Sequence, residues 1–107
     1  MPVTAVSGSA SGIGAAVCQA LRAAGHRVIG IDRANAEVIA DLSSAGGRQA
    51  AISAVLLQSA GVLDGLVCCA GVGSSAMSET IVSVNYFGVS ELLDGLADAL
   101  AKGDSPA

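Results

Sequence analysis

Residues 7–14 read SGSASGIG, three glycines set between the apolar run Pro2 to Ser7 and a stretch of small and apolar residues. That order constrains the fold more than any other feature of the chain. A short buried strand must stop where glycine and serine cluster, because the backbone turns there at little steric cost. A helix is then expected over Ile13 to Ala24, with Ile13, Ala16, Val17, Ala20 and Leu21 at helical spacing, Arg22 off that face and Gly25 as the stop.

The same alternation continues. "RVIGID", Arg27 to Asp32, reads as a second strand ending in a carboxylate, and "EVIADLS", Glu37 to Ser43, as a third that carries Asp41 at its end. Gly46 and Gly47 precede a helix expected over Arg48 to Ser59, with Ala51, Ile52, Val55 and Leu56 on one side and Gly61 ending it. "DGLVCCAG", Asp64 to Gly71, is the fourth strand. After a Gly/Ser/Met stretch, Val89, Leu92, Leu93, Leu96 and Leu100 repeat at helical spacing, while Glu91, Asp94 and Asp98 take the other face. Apolar strands alternating with helices predict an α/β fold, a Rossmann-like doubly wound parallel sheet with right-handed crossovers and strand order 3-2-1-4. Residues 1–101 are expected to form one domain, and the tail "KGDSPA", 102–107, to be disordered.

Composition narrows the function. The 107 residues, 52% of them apolar, suffice for one core, and with one Tyr, one Phe and no Trp that core must be built from Ala, Val, Ile and Leu. The net charge is −4, and the basic residues Arg22, Arg27, Arg33, Arg48 and Lys102 are scattered singly, so nucleic acid is an unfavourable partner. No apolar run approaches the ~20 residues of a membrane helix, and "MPVTAVSG" lacks a signal-peptide pattern, so a cytoplasmic location and no membrane association are expected. Cys18, Cys68 and Cys69 have neither zinc spacing nor a disulfide framework, and are expected as buried small residues with no metal site.

Gly8, Gly12 and Gly14 lie at the turn from strand one to helix one, where backbone N–H groups and the positive helix end can meet a pyrophosphate. Their spacing is G-x-x-x-G-x-G, not the general G-x-G-x-x-G, so the loop must follow a different path. A tight strand-to-helix turn would use the same glycines without a ligand. Asp32 weighs against that alternative: it ends the second strand near the roughly 20-residue interval of the acid that binds an adenosine ribose. Its charge would repel a 2′-phosphate, which favours NAD over NADP. Arg33 would offset such a phosphate, but Ser9-Ala10-Ser11 offers no second base. Asp41 falls on the same sheet edge and could accept the adenine amine or cap a loop. Gly71 and Gly73 would let backbone pass close to adenosine, or form an ordinary turn.

These motifs together resemble the amino-terminal half of a short-chain dehydrogenase/reductase. "SGSASGIG" is similar to that family's Thr-Gly-x-x-x-Gly-x-Gly loop, "ADL" to its adenine-pocket Asp, and "CCAG" to its Asn-Asn-Ala-Gly. The stretches "AGHRVIGIDRANAEVIADLS" and "VSVNYFGVSELLD" are most similar to a bacterial hydroxysteroid dehydrogenase subgroup. The resemblance implies that Gly8, Gly12, Ile13 and Gly14 face the pyrophosphate and nicotinamide, Asp32 the ribose, Asp41 and Leu42 the adenine, and Ala70 and Gly71 the adenosine; Ser7, whose hydroxyl can brace the turn, and Arg33, beside Asp32, complete the expected cofactor-binding set. Asn85, in "SVNYFG", matches the family's helix Asn that holds a proton-relay water, or is a satisfied buried Asn.

Three departures matter. Ser7 stands for Thr but keeps the hydroxyl. Cys68 and Cys69 stand for the paired Asn and remove a hydrogen-bonded brace. The family's catalytic Ser and Tyr-x-x-x-Lys would follow these residues: Tyr86 has Ser90 four positions on, and Lys102 is the lone lysine. The expectation is therefore the cofactor-binding half of an NAD-dependent oxidoreductase, without turnover of its own. The whole enzyme would act on a secondary alcohol or ketone, a hydroxysteroid among the candidates. A stand-alone nucleotide-binding or protein-interaction module is the alternative, with the last helix or the open edge of strand four as its contact. Homo-oligomerisation stays open.

Overall fold

The computed structural model describes residues 1–10, 12–70 and 83–103. Strand β1, Val3–Ser7, leads into helix α1, Gly12–Ala23, and strand β2, Arg27–Asp32. Strand β3, Val38–Ile39, helix α2, Ala45–Ser59, and strand β4, Gly65–Cys68, follow. A π-helical turn, Ser83–Phe87, opens into helix α3, Gly88–Ala101. The sheet is parallel in the expected order, β3-β2-β1-β4. Ala5 in β1 stands opposite Ile29 of β2 and Leu66 of β4.

Both faces of the sheet are covered. On one, Ala5, Ile29, Ile31 and Val38 pack with Ala51, Ile52 and Val55 of α2 and Leu92, Leu96 and Ala99 of α3. On the other, Val6 and Val28 pack with Cys18 of α1, joined by the half-buried Val17, Leu21, Val67 and Cys69. Burial on two sides is why the strands read as continuous apolar runs.

The structure corrects four expectations. The third strand is two residues long, not seven. Upstream of it the Glu37 side chain, in place of strand backbone, accepts the Gly30 N–H at 3.2 Å. Downstream, the ladder closes with Ala40 N–H donating to the Asp32 carbonyl at 2.9 Å, and Asp41 then folds into a turn. The inward face of α1 is Gly14, Val17, Cys18 and Leu21, whereas Ile13 is 78% exposed and Ala16 and Ala20 face solvent. Helix α2 starts at Ala45, three residues early, because the Ser44 hydroxyl accepts the Gly47 N–H at 3.0 Å and caps it. In α3 the buried seam is Leu92, Leu96 and Ala99, and Leu93 is half exposed. Glu91 turns toward α2, where it pairs with Arg48.

The helix stops follow the sequence. Gly25 has φ +91°, and the His26 N–H donates to the Leu21 carbonyl, closing α1. Ala60 and Gly61 take left-handed φ after α2. Lys102 and Gly103 donate to Ala99 and Leu100 and finish α3, while the rest of the expected tail, 104–107, lies outside the described residues. Among the described residues no helix is long and apolar enough to cross a membrane, and no group of three or more His, Cys, Asp or Glu could hold a metal.

Candidate functional site

The loop after β1 is built by close backbone approach. Gly8 has φ +71°, and its N–H donates to the Ile31 carbonyl at 2.8 Å, which hangs the turn on the end of β2. A Cβ there would lie 2.6 Å from the Ala70 nitrogen, so the loop rests directly on the backbone beyond β4. A Cβ on Gly14 would overlap the Gly8 carbonyl, so α1 starts in contact with the loop that precedes it. Gly12 differs from both: it has φ +59° and, among the described residues and apart from its own chain neighbours and helix backbone, no atom within 4 Å of a built Cβ. Two glycines serve packing, and the third meets no packing neighbour among the described residues.

Side chains finish the cradle. The Ser7 hydroxyl, buried, accepts the Ala70 N–H at 3.2 Å and joins the ends of β1 and β4. Asp32 Oδ2 accepts the Ala10 N–H at 3.0 Å and Oδ1 accepts its neighbour Arg33 N–H at 2.7 Å. That carboxylate is therefore docked against the glycine loop from the end of β2. Arg33 is exposed beside it.

Asp41 is a turn cap. Its Oδ1 accepts the Ser43 N–H at 2.9 Å and the Ser43 hydroxyl at 2.6 Å, and these two donors hold its carboxyl below the ordinary carboxylate range. The Leu42 side chain is buried in the core, with its carbonyl accepting from Arg48. Asn85 is exposed in the π-helical turn, which overturns the alternative of a buried Asn. The structure thus joins Ser7, Gly8, Gly14 and Ala70 by direct contact, and brings Asp32 to them through Ala10. Gly71 and Gly73 lie outside the described residues.

No family model matches the chain. Over its whole length it is 52% identical to the 3-alpha-hydroxysteroid dehydrogenase/carbonyl reductase of Comamonas testosteroni, of which it spans 42%. The crystal structure of the 3-alpha-hydroxysteroid dehydrogenase from Pseudomonas sp. B-0831, complexed with NADH, matches at TM-score 0.88 and 62% identity, over 95% of this chain and 43% of that one. A short-chain dehydrogenase/reductase from Serratia marcescens matches at TM-score 0.75 and 25% identity, over 90% of this chain and 49% of that one. In sequence and fold the chain is similar to short-chain dehydrogenase/reductases.

The chain spans less than half the length of these relatives. Against the short-chain dehydrogenase/reductase pattern, its own substitutions now have a physical reading. Ser7 keeps the brace that Thr would supply. Cys68 and Cys69 are free thiols, both half-buried, and burial pushes the Cys68 thiol up although the Ser7 hydroxyl opposes that. Neither carries the amide that would donate from an Asn.

Three residues escaped the sequence reading. Ser9 packs its hydroxyl on Gly30, where a Cβ would overlap it, and that buried oxygen has no hydrogen-bond partner among the described residues. A glycine inside the β2 run was the available signal, since it marks close approach of another group. Glu37, read only as the start of a strand, accepts both the Gly30 N–H and Arg22 Nη2, the latter at 3.0 Å. Arg48, read as one scattered base, is 6% exposed. Nothing local marked either charge as a partner.

Proposed function

We propose that this chain is the NAD-binding part of an oxidoreductase acting on a secondary alcohol or ketone, with a hydroxysteroid as the candidate substrate, and that residues 1–101 form that unit. The observation that carries the reading is the Asp32 carboxylate hydrogen-bonded into a glycine loop whose helix opens at Gly12. The residues fit such a ligand. At the first turn of α1 the N–H groups that a helix start leaves without intrahelical partners, with the positive helix end, would hold the pyrophosphate, and a Cβ built on Gly12 meets no packing neighbour among the described residues. Each Asp32 oxygen accepts one backbone N–H and keeps a lone pair for a ribose hydroxyl.

Asp41, Leu42, Ala70 and Gly71 would line the adenosine side, and Ser7 and Gly8 would fix the loop between them. Ile13, 78% exposed beside the helix start, suits an apolar contact with the bound ring. Asn85 would orient a water for proton relay. When bound, NAD supplies the hydride acceptor. The residues of this chain bind and orient it, and we assign proton transfer to none of them, since Tyr86 has Ser90 where the family's lysine would stand.

The test is a fluorescence titration with NADH and NADPH. A carboxylate facing the ribose is expected to favour NADH by about tenfold or more, because a 2′-phosphate would meet both its charge and its desolvation cost. In Asp32→Ala the NADH affinity falls and that preference shrinks. Equal affinities in the wild-type protein, or NADPH bound the tighter, would contradict the assignment.

A further inference from the structure

One charged group inside the fold has no part in the cradle as described. Arg48 sits in the first turn of α2, where a positive charge is disfavoured by the helix dipole, and it is buried, where an unpaired charge is costly. Among the described residues its partners come from three separate segments. Nε donates to Glu91 Oε2 of α3 at 2.7 Å, Nη1 donates to the Leu42 carbonyl at 3.1 Å, and the guanidinium carbon stands 5.7 Å from the centre of the Phe87 ring. Leu42 adjoins the Asp41 turn, and Phe87 ends the π-helical turn that carries Asn85. A planar guanidinium can hold these directions at once, and a lysine cannot.

We infer that Arg48 is a positioning residue: it ties the Asp41–Leu42 turn to the start of α3, and so fixes the adenine end of the cofactor site relative to the turn bearing Asn85. This rests on the proposed assignment of Asp41 and Leu42 to adenine. Arg48 touches no ligand in this scheme. It acts through the Leu42 carbonyl, and Glu91 acts by neutralising it.

The experiment titrates the whole chain, wild type and Arg48→Met, with NADH and with reduced nicotinamide mononucleotide, which has no adenine. Arg48→Met is expected to lose about tenfold in NADH affinity while the mononucleotide binds as before, the size being that of one charged hydrogen bond withdrawn from the adenine side. A general loosening of the fold would weaken both ligands together, and that result overturns the inference, as does unchanged NADH affinity. Wild-type protein that binds neither ligand overturns the cofactor reading itself, and this inference with it. Should Arg48→Met not fold, Arg48→Lys carries the test: it keeps a charge for Glu91 but cannot also reach Leu42, and the same selective loss is expected. Full retention of NADH affinity in Arg48→Lys overturns the inference.

Discussion

Gly14→Ala is expected to destabilise the protein by about 3 kcal/mol and to abolish cofactor binding, although alanine is the better helix former by about 1 kcal/mol. The sign is decided by what the added methyl meets. It would overlap the Gly8 carbonyl, a backbone group held in turn by the bond from Gly8 N–H to Ile31 and by contact with Ala70. Neither the loop nor α1 can move away without breaking its hold on β2 or β4. Gly46→Ala is the control, because Gly46 lies in the first turn of α2 and, its own helix backbone apart, no atom of the described residues comes within 4 Å of a built Cβ. There the same change should stabilise, by about 0.5 kcal/mol. Denaturant unfolding of the two variants gives midpoints on opposite sides of wild type. Parallel shifts would mean that the loop and α1 do not approach as described.

Leu96→Ala is the second large effect, a loss of about 3 kcal/mol. Leu96 is fully buried where α3 meets the sheet and α2, in one cluster with Ile29, Ile52, Val55 and Leu92. The neighbouring Gly95 brings the backbone of α3 so close to Ile52 that a built Cβ lies 2.5 Å from its terminal methyl. The helices cannot draw nearer to fill the space left by leucine, so most of the cavity should persist. Leu93→Ala, at a half-exposed position three residues earlier on the same helix, should cost under about 1 kcal/mol. Similar losses at 93 and 96 would place the buried seam where the sequence pattern suggested, and not where the structure puts it.

The order of the elements was legible because each apolar run ends in a group with a mechanism. Asp32, Gly25, Gly61 and the Gly8 turn all stop their elements where the sequence reading has them stop. What was illegible depended on contacts distant in sequence or on a lack of contrast. In α1 the small Ala16 and Ala20 fit the apolar spacing as readily as Gly14 and Cys18, and the Gly14 contact with Gly8 accompanies the turning of Gly14 and Cys18 inward. The third strand looked long because "EVIADLS" is apolar enough, yet its ends are set by the Glu37 carboxylate and the Asp41–Ser43 turn. Glu91 obeyed the outward pattern in sequence, and only the fold brings Arg48 within reach of it.

The site shows the same division. The glycine spacing and the acid at Asp32 were readable, because their roles depend on backbone conformation and on the end of a strand. Their separate duties were not: Gly8 and Gly14 are excluded from having a side chain by neighbouring backbone, while Gly12 has no such neighbour among the described residues. Asp41 illustrates the limit of reading a carboxylate at a sheet edge, since its first partner is the Ser43 two residues on.

The account stands or falls on where a nicotinamide dinucleotide touches this chain, and amide chemical shifts of the 15N-labelled protein titrated with NAD measure that directly. The largest changes are expected at Gly8, Gly12 and Gly14, at Asp32 and Arg33, and at Leu42 and Ala70, with Val55 and Leu96 in the core unmoved. Binding that leaves the glycine loop and Asp32 silent, or no change at all at millimolar NAD with the fold intact, would contradict it.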